Sequence, residues 1–394
     1  MSKSLFNTFD NISEKAWKQK IQVDLKGADY NETLVWNSIE GINVKSFYHA
    51  DGFDESNSVS GTKATAWNIC QSIFVADVKK SNEKAIDAIK RGAENIKFTI
   101  PTTDISIDDL LKDIDLNITP VYFKLEFLSV EFVKQLAAIP GKAGVHIQTD
   151  IIGNLAKSGN WFNNLQEDHK AFNTITEATS AFSVDTSLYQ NAGATIVQQL
   201  AYALAHANEY LNHLSNLNAE ISQSLQITFN VSVGSNYFFE IAKLRALRLL
   251  WKTLASEYYE TSNDCHIIVT PSKRNKTLYD YNTNMLRTTT ECMSAILGGA
   301  NTICNLPYDA IYHKDNEFGE RISRNQLLVL KHESYFDKVN NPADGTYYIE
   351  SLTKQFAKKG LALFKNIESN GGFLKQLKES IVQRKIKESA AIEQ

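Results

Sequence analysis

The chain of 394 residues is poor in cysteine and proline, with four of the first and six of the second. Cys70, Cys265, Cys292 and Cys304 are scattered, with no C-x-x-C pair and no metal-like spacing. That pattern excludes a disulfide framework and a zinc motif, and it leaves four small buried apolar residues in a reducing compartment. Six prolines with 18 glycines also exclude a collagen-like or low-complexity chain. An excess of one charge is missing too: 41 Lys+Arg face 45 Asp+Glu, a net charge of −4. No basic footprint for nucleic acid follows from that balance. No apolar run approaches the roughly 20 residues that span a bilayer, and the first residues carry no apolar signal region. The expected address is the cytoplasm, with no nucleic-acid or membrane partner. The length suits two or three domains or one large barrel, and it can bury a sizeable core.

What is present is alternation. Short β-rich runs at 69–76, 96–100, 121–125, 143–147, 178–184, 225–233, 266–270 and 301–306 are separated by amphipathic stretches, among them 83–91, 129–138, 191–214, 237–259 and 282–297. Eight such alternations predict an α/β fold, a (β/α)8 TIM barrel; an open doubly wound sheet is the alternative, since a strand count does not show closure. From Leu225, apolar Leu225, Ile227, Phe229, Val231 and Val233 alternate with Gln226, Thr228, Asn230 and Ser232. If the apolar face meets the helices, Thr228, Asn230 and Ser232 line a barrel interior that branched aliphatics normally fill. A polar lining hints at a threaded polar ligand; a solvated strand outside any barrel is the competing reading. Residues 1–65 lack the alternation and read as an N-terminal extension, helical at 15–26, extended at 34–48 and a polar loop at 51–62. Residues 66–394 read as the barrel with extra C-terminal helices at 317–336, 349–368 and 372–388, the first two separated by the turn at 341–345.

Most catalytic signatures are absent: no G-x-S-x-G, P-loop, H-E-x-x-H or G-x-G-x-x-G occurs. The pairs Gly298-Gly299 and Gly371-Gly372 read as turns or helix caps. His206 and His213 lie seven apart on one helix, too far to share a metal, and read as surface residues. His332-Glu333 lacks a second histidine. No metal site is read from the chain. His146 and Gln148 end the fourth strand, where barrel active sites form, and stand above the other candidates.

Several segments resemble the methylmalonyl-CoA mutase family: Trp67-x-Ile69-x-Gln71, Leu244-Arg-Ala-Leu-Arg248 with Trp251, the run 287–300, Arg321-Ile-Ser-Arg-Asn-Gln326, the segment 341–353 and Ile367-Glu-Ser-Asn-Gly-Gly372. The resemblance covers residues 17 to 372, in order. It implies a barrel threaded by the pantetheine arm of coenzyme A, in accord with the polar face of the sixth strand.

The departures from the family pattern carry the functional reading. In the catalytic subunit the fifth strand ends in Ser-Gly-Tyr-His before a Glu-Ala-Gly-Ala turn; here the turn is Asn191-Ala-Gly-Ala194. Counting back puts Leu188 in the histidine slot and Ser187 in the tyrosine slot. Gln148 occupies the place of the family's active-site glutamine, a remnant of substrate binding, but Ser158 stands where the substrate-carboxylate arginine belongs. Leucine cannot hydrogen-bond a thioester carbonyl and serine cannot form a bidentate charge pair. The cobalamin motif D-x-H-x-x-G is also missing: Asp264-Cys-His266 has Val269 in place of glycine, and Phe47 stands in place of aspartate before His49. The resemblance therefore implies the small, non-catalytic subunit of a heterodimeric mutase, binding no cofactor itself, with adenosylcobalamin on the large subunit and acyl-CoA as a possible ligand. The other readings are the barrel chain of a split acyl-CoA mutase, disfavoured by Ser187 and Leu188, and an acyl-CoA sensor or chaperone-like protein.

Overall fold

The computed structural model describes residues 10–53, 64–141, 144–216, 225–258, 264–314 and 316–393. The N-terminal part holds helices α1 (Glu14–Asp24) and α2 (Tyr30–Leu34) and an antiparallel pair, β1 (Trp36–Asn37) and β2 (Asn43–Val44). Eight parallel strands follow: β3 (Asn68–Phe74), β4 (Asn95–Ile100), β5 (Val121–Leu125), β6 (Val145–Gln148), β7 (Ala181–Asp185), β8 (Gln226–Val233), β9 (His266–Pro271) and β10 (Thr302–Cys304). Their order, β6-β5-β4-β3-β10-β9-β8-β7, joins the first strand to the last and makes a nearly closed α/β barrel. The predicted strands are all there. The run at 178–184 starts late, because Ala178 and Thr179 end a helix at Ser180, whose φ is +49°. Most of the 51–62 loop lies outside the described residues.

Period-two alternation in each strand sets the two faces. Ile96, Phe98, Ile100, Val121, Phe123, Leu125, Phe182, Val184, Ile227, Phe229, Ile267 and Ile303 pack outward under the helices. Between strands run α3 (Val78–Lys90), α4 (Ile107–Leu111), α5 (Val130–Ala137), α6 (Ile151–Ser158), α7 (Leu165–Thr179), α8 (Ser187–Ala192), α9 (Ile196–Asn216), α10 (Tyr237–Ala255) and α11 (Thr283–Leu297). After β10 come α12 (Glu317–His332), α13 (Tyr347–Ser369), α14 (Phe373–Lys378) and α15 (Ile381–Glu393). Side-chain caps fix several starts: Asp77, Ser106, Ser129 and Asn164 each accept from a backbone N–H of the first turn, worth about 1 kcal/mol apiece. The start of α9 is capped from far away, Ile196 and Val197 donating to the Glu40 carboxylate at 2.7 and 3.0 Å. Among the described residues, no helix is long and apolar enough to cross a membrane.

The expectation for His206 is overturned. α9 is covered by the barrel, by α13 and by α14, so its apolar stripe widens to nearly the whole circumference and His206 has no exposed surface. His213, further along, is half-buried. All four cysteines are buried and free. Gly298 and Gly372 cap helices, and Gly299, Gly371 and Gly372 have positive φ, the turn and cap roles read from sequence.

Candidate functional site

The inner face of the barrel is polar, as the alternation in β8 predicts, but its side chains reach across the axis to each other. β4 and β8 stand opposite one another in the ring, as do β5 and β9. Lys97 on β4 donates to Asn230 Oδ1 on β8 at 3.0 Å. Tyr122 on β5 places its hydroxyl 3.1 Å from His266 Nε2 on β9 and 3.4 Å from Thr302 Oγ1 on β10. The His146 ring stacks on Tyr122 at 4.8 Å, and Asn95 donates to Thr302 at 3.3 Å. At the C-terminal mouth, Lys124 and Asp185 form an ion pair at 2.7 Å. A linear chain threaded along the axis would have to displace both transverse hydrogen bonds.

Burial sets the electrostatics. It holds His266 neutral, its pKa pushed down to about 3, with His146 and Arg248 adding to the effect. His146 and Lys97 are likewise lowered by burial, and the Tyr122 phenol is raised. Asp185 is buried too, which alone would raise it, but Lys124 and the Ser187 hydroxyl hold it below the usual carboxylate range. Asp185 in turn raises Lys124.

The sequence candidates fall in different places. Gln148 ends β6 in register with Lys124, is 4% exposed, and its buried amide has no hydrogen-bond partner. Ser187 opens α8, where its hydroxyl and N–H both donate to Asp185 Oδ1. Leu188, the next residue, packs half-buried on the main apolar cluster. Ser158 is exposed at the end of α6, its hydroxyl closing a turn on Asn154 O and Asn160 O. Thus Gln148 and Ser187 lie at the mouth beside Lys124 and Asp185, whereas Ser158 is engaged in its own helix end. Lys97, Lys124, Tyr122 and Asp185 are not singled out by the sequence, and His266 enters there only as part of a broken cobalamin motif. The lysines could have been: each occupies the polar phase of a strand whose other phase is buried and apolar.

A second unanticipated cluster bridges the seam between β6 and β7, which no backbone ladder joins among the described residues. Asp150, just after β6, caps α6 through Gly153 N and accepts from Asp185 N at 2.7 Å. It also accepts from Tyr210 at 2.7 Å and lies 2.9 Å from His206 Nε2; His206 Nδ1 is 2.9 Å from the Tyr189 hydroxyl. Burial works against the Asp150 carboxylate, but His206 and these donors hold its pKa below the usual range.

Neither histidine of the two fragments that approach the cobalamin motif is placed as a cobalt ligand. His266, in the fragment nearest the motif, points into the barrel and is bonded to Tyr122 and Thr302. His49 caps a short 3-10 turn, accepting from Asp51 N. Among the described residues, no group of three or more His, Cys, Asp or Glu could hold a metal ion.

The family model for methylmalonyl-CoA mutase matches residues 102–394. The chain is 34% identical to the methylmalonyl-CoA mutase small subunit of Porphyromonas gingivalis, covering 98% of this chain and 67% of that protein. It is 29% identical to the methylmalonyl-CoA mutase of Cereibacter sphaeroides, over 95% of this chain and 61% of that protein. With the small subunit of Propionibacterium freudenreichii subsp. shermanii it shares 25% identity, over 94% and 64% of the two chains. The chain thus spans between 61% and 67% of the length of these relatives.

Proposed function

Because the chain belongs to the methylmalonyl-CoA mutase family, we propose that it is the small, non-catalytic subunit of a heterodimeric mutase, pairing in the cytoplasm with a large subunit that carries adenosylcobalamin and isomerises methylmalonyl-CoA and succinyl-CoA. The observation that carries the reading is the barrel axis. Where a catalytic barrel must admit the pantetheine arm, Lys97–Asn230 and Tyr122–His266 join opposite walls. The site slots agree: Ser187 is tied to Asp185, Leu188 has no polar atom to offer, and Ser158 closes a helix end. A barrel without those groups contributes to the enzyme by supporting its partner, because a bound cofactor carries the radical step and its protein supplies orientation.

The test is reconstitution. The purified chain alone should give no isomerisation, no stoichiometric cobalamin spectrum and no heat with methylmalonyl-CoA, while co-expression with the large subunit yields one complex with mutase activity. Turnover or a cobalamin complex with the isolated chain would refute the proposal.

A further inference from the structure

Two of the four cysteines meet inside the barrel. β10 pairs with β3 in parallel, with Cys304 in register with Cys70, and both side chains turn inward to form a small cluster with Tyr122 and Ile268. Neighbouring strands lie about 4.8 Å apart, within the roughly 4.4–6.8 Å Cα separation of disulfides. Side chains of register partners run side by side rather than converging, so a bond between them needs some backbone movement. Cys304 is placed to give it: it ends β10, and only Thr302 and Ile303 of that strand also pair with β9.

The surroundings divide the two thiols into unequal partners. A hydrogen bond from Cys70 holds Cys304 below the usual thiol range against the effect of burial, and Lys97 on the strand beside β3 adds to it. Burial pushes Cys70 well up. Burial raises Cys265 to about 11 and pushes Cys292 well up; neither has a cysteine in strand register with it. Above Cys70 on the same strand face, one step of the pleat away, Ser72 is exposed at the mouth, while Cys70 and Cys304 are 5% and 2% exposed.

We propose that Cys70 and Cys304 are a reversible redox pair, in which a hydroperoxide oxidises the Cys304 sulfur and Cys70 then closes a disulfide between the first and last strands of the barrel. In the first step the Cys304 thiolate attacks one peroxide oxygen; an S–O bond forms, the O–O bond breaks, and hydroxide leaves and is protonated to water. In the second, the Cys70 sulfur attacks the sulfenic acid; the S–S bond forms, the S–O bond breaks, and a second water leaves with the Cys70 proton. The two thiols lose two electrons and two protons, and hydrogen peroxide is reduced to two waters. Thiolate character, access and a resolving neighbour together select an oxidised site; here the pairing supplies the resolving thiol, and the small oxidant must enter past Ser72.

The experiment treats the full chain with limiting hydrogen peroxide, blocks free thiols by alkylation and maps unreduced peptides by mass spectrometry. The expected product is a Cys70–Cys304 linked peptide, lighter by two hydrogens than the free pair and restored by dithiothreitol. It should form about tenfold faster than any oxidation of Cys265 or Cys292, with a rate unchanged by urea below the unfolding transition. In Cys70→Ser, Cys304 should stop at the sulfenic acid, to be captured by dimedone added on unfolding the peroxide-treated chain. The proposal is overturned if Cys304 reacts no faster than Cys265 and Cys292, if no linked peptide forms, or if the rate follows urea, since the thiols would then react only on unfolding.

Discussion

His266 couples one ring to the stability of the whole chain. Its Nε2 lies 3.1 Å from the Tyr122 hydroxyl and 3.2 Å from Thr302 Oγ1, and burial pushes its pKa from the ordinary 6.5 to about 3. Between those values the unfolded chain binds a proton that the folded chain refuses. Stability from this group is therefore full above pH 6.5 and falls as the medium is acidified toward 3, by roughly 1.4 kcal/mol per pH unit. Urea midpoints at pH 7, 6 and 5 should fall in that order, and His266→Gln should remove most of the slope. Asp150 and Asp185, held below the usual carboxylate range, act in a separate window: their contribution is present above about pH 4 and lost below it as pH drops through their folded values. A His266→Gln chain that keeps the full slope between pH 7 and 5 would assign it to other groups. Arg245 is the opposite kind of residue, always charged. It has no exposed surface and pairs with Asp344 and with Glu350, the latter at 2.5 Å. Arg245→Met leaves both carboxylates without their cation and should cost about 3–5 kcal/mol in a urea titration.

At the scale of elements, the weakest joint of the ring is the one between β6 and β7. Side chains replace the ladder there: Asp185 N donates to Asp150, and Ser183 Oγ donates to Thr149 O at 3.1 Å. Asp150→Asn keeps the shape but removes the charge facing His206 and one acceptor. Hydrogen exchange at 145–148 and 181–185 should then rise by an order of magnitude or more, corresponding to about 1.4 kcal/mol or greater, with β3–β4 exchange unchanged. Equal acceleration everywhere would mean global destabilisation instead. The elements were largely legible in the sequence because strand alternation and outward apolar faces are local properties. What was not legible is contact across the ring. Lys97 and Asn230 are 133 residues apart, and no spacing rule pairs them. The motifs that revealed the family also prove to be framework. Arg248 donates to Cys265 O and Gly299 O, Arg324 to Gln71, and Gln326 to Met285 O and Thr288, so α10 is tied to the loops that lead into β9 and β10, and α12 to β3 and α11.

At the scale of the molecule, the described residues 10–53 of the N-terminal extension have two behaviours. From Tyr30 onward they pack on the barrel helices: Ile42 is fully buried, Trp36 stacks on Phe239 at 5.3 Å, Tyr48 meets Tyr348 at 5.2 Å and Phe53 meets Tyr347 at 5.1 Å. Glu40 caps α9 as well. That stretch is therefore spent on the chain's own barrel. α1 differs, because none of its residues is buried. Its contacts are with the same segment, Glu14 with Lys45 and Asp51, and Trp17 with Phe47. Ile12, Trp17 and Val23 remain exposed. Tryptophan is among the residues that interface hot spots favour, so under the proposed pairing α1, through Trp17, is the described part of the arm left to grip the large subunit. Deleting residues 1–27 removes it and spares Tyr30 and everything that packs after it. The truncated chain should keep the circular dichroism and urea midpoint of the full one, yet bind the large subunit about tenfold more weakly, a loss of about 1.4 kcal/mol. Trp17→Ala alone should account for a large share of that loss, measured by titration against the isolated large subunit. Full affinity after truncation would move the interface onto the barrel helices.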